Sequence, residues 1–330
     1  MGQPKIIFPP RRDMINRVLR LLLVPIVLGF ASTHPGYAAD KKLRIVFSVP
    51  NMAFPWAAFT VRVANDLAKK LDIDVLPQDG QSNSSTQSSD LRNDVNQGLD
   101  GILLAPTDVN ALVPAVNDVI AANIPIVTVD RYVSGTDKPV QQFGVDNVAG
   151  GAKLAKYVID HFPDGAKIVF LYGEPGSSPA IDRATGVHDT FKAAGDKYKI
   201  VADQPANFSR AKGLTVTQNI LTSLGTPPDA IVSANDDMAL GALEALNLVG
   251  IPKGKVMVLG FDALPEALAK VRDGELAATV EQLPAEQVRN AMTAMVDYLR
   301  NKKPIEGKKL DPILITKENL DQAERYNEVK

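Results

Sequence analysis

The 330-residue chain contains no cysteine. No disulfide can staple the fold, so stability rests on packing alone, and no thiol is available for a lipid anchor. Histidine is nearly absent. Of the three, His34 lies in the N-terminal segment, and His161 and His188 have no second histidine or cysteine at metal-ligand spacing. Net charge is only −2, so no basic excess points to nucleic acid or an anionic membrane surface. The phosphate-cradling G-x-x-x-x-G-K-[ST] and the dinucleotide fingerprint G-x-G-x-x-G are both missing. The glycine- and serine-rich "GEPGSSPA" (173–180) is not G-x-S-x-G, and two histidines are left to serve a serine nucleophile. No cofactor is implied, and these absences point away from an enzyme.

No apolar run is long enough to span a bilayer comfortably. The longest, "LLLVPIVLGFA" (21–31), is interrupted by Pro25. It follows Lys5, Arg11, Arg12, Arg17 and Arg20 and precedes "GYAAD", which places small residues, Gly36 and Ala38, at −3 and −1 of a cleavage after Ala38. Residues 1–38 are therefore expected to be an export signal. Its loss would take basic residues from 36 to 31 and acidic ones from 38 to 37, a net of −6. The expected location is the periplasm.

What is present is 45% hydrophobic and 22% charged, a globular composition in a chain long enough for one large or two medium cores. Short apolar runs alternate with segments of helical spacing. The runs are 43–49, 74–77, 101–106, 125–129, 167–172, 199–203, 229–234 and 256–260. The helical segments include Trp56–Lys70, Asp108–Ala121, Asn147–His161, Arg210–Leu224 and Asp237–Val249. Such alternation predicts parallel sheets covered by helices. The number of units predicts an α/β fold with two doubly wound lobes. The expected lobes are 40–143 plus 283–310, and 144–282 plus 311–330, joined by three crossings.

In open parallel sheets ligands sit beyond the carboxyl ends of strands. "PIVTV" runs into Asp130 and Arg131. Strand one is followed by Phe54 and Trp56, the 167–172 strand leads to Arg183, and the 199–203 strand to Phe208. Asn235 follows 229–234, Asp262 follows "VLGF", and Gln282 ends the 277–281 run. Singly, each has a plainer reading: Asp130–Arg131 as a surface pair, Asn235 and Asp262 as helix caps, Arg183 as a solvated charge, Trp56 and Phe208 as core. Together they are polar planar groups beside aromatics, a set that suits a neutral polyhydroxylated ligand whose hydroxyls both donate and accept.

The stretches "PTDVNALVPAVN", "NIPIVTVDR", "VDNVAGG", "QPANFSRAKGLTVTQNIL", "ANDDMALGALEAL", "VLGFD" and "DGELAATVEQLP" resemble the type I periplasmic sugar-binding proteins of ABC importers, closest to the D-ribose-binding group. The resemblance implies two α/β lobes with a three-stranded hinge and a ligand between them. It implies sugar-contacting roles for Asp130, Arg131, Arg183, Phe208, Asn235, Asp262 and Gln282. Near strand one, "NMAFPWAAF" departs: Phe54 stands where ribose binders have asparagine, Trp56 matches an aromatic, and Ala57 replaces a second one. A differently substituted monosaccharide or a polyol fits that change. The implied partners are the sugar and a membrane permease, the protein acting as a monomer. A receptor presenting its closed form to a chemoreceptor or sensor kinase would use the same features. An exported carbohydrate-active enzyme would use Asp130 and Asp262 as its carboxylate pair.

Overall fold

The computed structural model describes Gly2 and residues 42–329. The expected export signal, apart from Gly2, lies outside the described residues. Among these, no helix is long and apolar enough to cross a membrane.

The chain first builds β1 (Leu43–Val49), α1 (Pro55–Leu71), β2 (Ile73–Asp79), α2 (Ser84–Gln97), β3 (Gly101–Leu104), α3 (Val113–Ala121), β4 (Ile126–Val129) and β5 (Gln141–Val145). It then crosses into a second series. This is α4 (Asn147–His161), β6 (Ala166–Tyr172), α5 (Ser178–Ala194), β7 (Tyr198–Pro205), α6 (Arg210–Leu224), β8 (Ala230–Ser233), α7 (Asp236–Leu248), β9 (Met257–Leu259), α8 (Pro265–Arg272) and β10 (Thr279–Glu281). It returns through α9 (Pro284–Asn301) and β11 (Lys308–Leu310), and crosses a third time into β12 (Ile313–Ile315).

The first sheet is parallel, in the order β11-β5-β4-β3-β1-β2, and the second is parallel, β7-β6-β8-β9. β10 and β12 pair antiparallel. The result is two doubly wound α/β lobes joined by three crossings. The central strands read as continuous apolar runs because both faces are covered. Phe47 and Val49 pack under α1 and α9 on one side, and Val46 and Leu104 under α2 and α3 on the other. A single core fills the second lobe, around Ile168, Phe170, Val232 and Phe261.

Two elements differ from the sequence expectation for local reasons. β2 runs through Pro77, which is tolerated because β2 is an edge strand and Pro77 needs no ladder donor. The helix expected over 108–121 starts only at Val113, because the Asp108 carboxylate accepts from the N–H groups of Asn110 and Ala111 and folds the chain into a turn.

The crossings are tied together. Asp146 caps α4 by accepting from Ala149 N–H, and also pairs with Lys309 at 3.0 Å. The buried Glu281 accepts from the backbone of Leu283 at 2.6 Å and of Glu324 at 2.9 Å. α4 and α5 approach closely through Gly151 and Gly186. A methyl group on Gly151 would strike the carbonyl of Arg183, and one on Gly186 the carbonyl of Val148. This contact sets the height at which Arg183 leaves α5. Gly151→Val should therefore force the helices apart and cost about 1–3 kcal/mol, measured by urea denaturation. An unchanged midpoint would mean that the crossing is loosely packed.

Candidate functional site

The carboxyl ends of both sheets face one small cavity of about 30 Å³, lined by Phe54, Pro55, Trp56, Asp130, Arg131, Pro179, Arg183, Phe208, Asn235, Asp262 and Gln282. All nine residues singled out in the sequence are thus brought together. Phe54, Trp56, Asp130 and Arg131 come from the first lobe. Arg183, Phe208, Asn235 and Asp262 come from the second, and Gln282 follows β10 at a crossing.

Backbone strain marks the same places. Asp130, Phe208 and Asp262 have φ of 61°, 54° and 113°, which costs a non-glycine residue on the order of 1–3 kcal/mol each. The turn at Asp130 answers why a buried strand ends on a carboxylate. The chain bends there, the Asp130 N–H donates to Phe143 O at 2.8 Å, and the side chain lies buried. Phe208 lies directly on the chain at Gly173, where any Cβ would collide with its ring.

Arg183 is buried and almost fully engaged. Nε donates to Asn147 Oδ1 at 2.8 Å and Nη1 to Ala234 O at 2.7 Å. Longer contacts reach Asp262 Oδ1 (3.5 Å) and Gln282 Oε1 (3.4 Å). Its guanidinium lies 3.5 Å from the Phe261 ring centroid. Gln282 Nε2 donates to Asp262 Oδ1 at 2.7 Å. Arg183 and Gln282 thus hold each other and Asp262 in place. Asn235 spans two roles: its Oδ1 caps α7 by accepting from Met238 N–H at 3.0 Å, leaving its amide N–H groups for the cavity. Arg131 reaches Glu174 Oε2 and Pro106 O, both at 3.4 Å, and sits 5.7 Å from the Phe208 centroid. Asn147, Glu174, Phe261 and Pro179 went unnoticed in the sequence. Asn147, Glu174 and Phe261 also follow strand ends, so the strand-end rule could have found them, whereas Pro179 has no such signal.

Two carboxylates face two guanidinium groups, so the cavity carries little net charge. Burial raises the Asp130 carboxyl above its ordinary range, opposed by Arg183 and Arg131. Burial pushes Asp262 up to about 7, opposed by Arg183. Such buried pairs contribute little to stability, since desolvation offsets their attraction. They are better explained by a partner that completes them.

Among the described residues, seven buried side-chain atoms make no hydrogen bond, and three belong to the cavity wall: Asp130 Oδ1, Trp56 Nε1 and Arg131 Nε, the last 3.9 Å from Asp130 Oδ2. One accepts and two donate. Size alone does not locate the site. A groove of about 600 Å³ beside Arg210, Lys253 and Glu275 is larger, but those charges are paired, Arg210 with Glu266 and Lys253 with Glu275.

The lobes also touch each other directly at the cavity rim. Val109 N–H donates to Gly176 O at 3.0 Å, Tyr132 N–H to Ser178 Oγ at 3.1 Å, and Tyr132 Oη to Asp182 Oδ1 at 3.0 Å. Burial and Asp182 push the Tyr132 phenol up to about 12, so it stays a donor. Phe54 meets Phe208 edge-on, with centroids 6.4 Å apart.

The periplasmic binding protein domain matches residues 45–303. The chain is 38% identical over 271 residues to the ribose import binding protein RbsB of Bacillus subtilis, covering 82% of this chain and 86% of that protein. The crystal structure of the Caulobacter myo-inositol binding protein bound to myo-inositol is 44% identical, with a TM-score of 0.85 over 87% of this chain and 97% of the other. A solute-binding protein from Bacillus halodurans with bound myo-inositol is 29% identical, with a TM-score of 0.81 over 86% of this chain and 98% of the other. The family match takes in most of both lobes, and the chain belongs to the periplasmic binding protein family.

Proposed function

We propose that this protein is the periplasmic substrate-binding component of an ABC importer, and that it captures a neutral cyclic polyol, with myo-inositol as the leading candidate, between its two lobes. The observation that carries the reading is the set of cavity-wall atoms that make no hydrogen bond. A ring bearing a hydroxyl on every carbon can donate to Asp130 and Asp262 and accept from Arg131 and Asn235. A charged ligand would unbalance two buried ion pairs. Relatives crystallised with myo-inositol support the choice of ligand.

Phe54, Trp56 and Phe208 supply apolar walls for the ring's carbon faces. Arg183 and Gln282 orient Asp262 and border the ring. Because contacts come from both lobes, ligand favours the closed form, which is the shape presented to the permease. The moving bodies are 40–143 with 283–310 and 144–282 with 311–330. The protein works as a monomer, exported by its first 38 residues.

Thermal-shift screening against cyclitols and monosaccharides tests the ligand class, since binding raises the melting temperature. myo-Inositol should give one of the largest shifts, and no shift with any polyol would reject the class. Asp130→Ala should weaken the best ligand by about 10- to 150-fold, or about 1.5–3 kcal/mol, by calorimetry.

The rim contacts generate a separate expectation. Tyr132→Phe removes one bond between lobes without reaching the cavity wall. Affinity should fall by up to about tenfold through easier opening. Equal affinity would show that the bond does not bias closure.

Binding should also depend on pH. A hydroxyl donating to Asp262 favours its charged form, so the ligand lowers a carboxyl pKa that stands at about 7 without it. Binding then releases protons near neutrality, and affinity rises between about pH 6 and 8 before levelling off. Calorimetry in buffers of different ionisation heat measures this, and Asp262→Asn should flatten the profile.

A further inference from the structure

We infer that Trp56 reads a ligand hydroxyl through its indole N–H, and so acts as a specificity determinant rather than only as an apolar wall. This rests on the reading of the cavity as a polyol site. Trp56 stands in the first turn of α1, only 9% exposed, with its ring in the first-lobe core. A buried indole N–H ordinarily finds an acceptor. Here Nε1 has none in the protein, although Trp56 lines the cavity. A core tryptophan chosen for volume alone would carry that unsatisfied donor at a cost that phenylalanine avoids.

The surroundings say what should meet it. Its neighbours on this wall, Phe54 and Pro55, present no side-chain donor. Asp130 Oδ1 and Arg131 Nε, also without a hydrogen bond and on the same lobe's wall, complete a set of one acceptor and two donors. An indole N–H lies in the ring plane, so the oxygen it meets must approach the ring's edge. Stacking on the ring's face alone would leave the N–H unused. The first lobe therefore recognises a ring hydroxyl that projects outward toward α1. An analogue lacking it strands a buried donor, which penalises the wrong ligand more than a lost apolar contact would.

The chain has a single tryptophan, so its indole gives one ¹H–¹⁵N resonance. Saturating myo-inositol should move that resonance downfield and slow its exchange with water. By calorimetry, Trp56→Phe, which keeps an aromatic wall, should lose about 5- to 50-fold in affinity for myo-inositol. It should lose far less for the monodeoxy-inositol that lacks the recognised hydroxyl. An unmoved indole resonance in wild-type protein that binds myo-inositol would overturn the inference while leaving the polyol reading intact. So would wild-type affinity in a folded Trp56→Phe variant. If that variant does not fold, the wild-type resonance decides alone. Absence of myo-inositol binding to the wild type by calorimetry would overturn the inference together with the reading it rests on.

Discussion

The structure depends on the burial of two carboxylates and two guanidinium groups at a junction between lobes. Removing each ion from water costs several kcal/mol, and mutual attraction only roughly offsets it. A fold selected for stability alone would have apolar residues there. Asp130 and Asp262 instead sit at strand ends with left-handed backbone. Arg183 is caged by Asn147, the Ala234 carbonyl and the face of Phe261. Strain and desolvation together fix the positions of polar atoms before any ligand arrives, which limits the ordering that binding must impose.

That preorganisation is divided between two bodies. Asp130 and Arg131 are held by one sheet, and Asn235 and Asp262 by the other, so only closure assembles the full set. The contacts at Tyr132, Val109 and Arg131 give closure some favourable energy of its own. The ligand then has to tip an equilibrium rather than drive it entirely. Asp146 with Lys309, and Glu281 with Leu283 and Glu324, tie the crossings to the elements beside them.

Much of this was legible from residue order. Unbroken Val/Ile runs such as "LRIVFSV" marked strands buried on both faces. The rule that ligands lie beyond strand ends brought Asp130, Asn235, Asp262 and Gln282 onto one list. What the sequence could not show was which polar atoms are satisfied by each other. Arg183 and Gln282 are 99 residues apart, and their partnership is a product of the fold, as is the seat of Arg183 on Phe261. In the sequence Asn235 reads equally as a helix cap or a ligand contact, and in the structure its oxygen caps α7 while its N–H groups are left over. The late start of α3 was hidden because a turn held by Asp108 looks like a helix start until the backbone is seen.

The most direct measurement is a crystal structure with the polyol that gives the largest thermal shift. The expected result is one ligand whose oxygens lie within hydrogen-bond distance of Asp130 and Arg131 from one lobe and of Asn235 and Asp262 from the other. A ligand held by one lobe alone, or seated outside this cavity, would contradict the account.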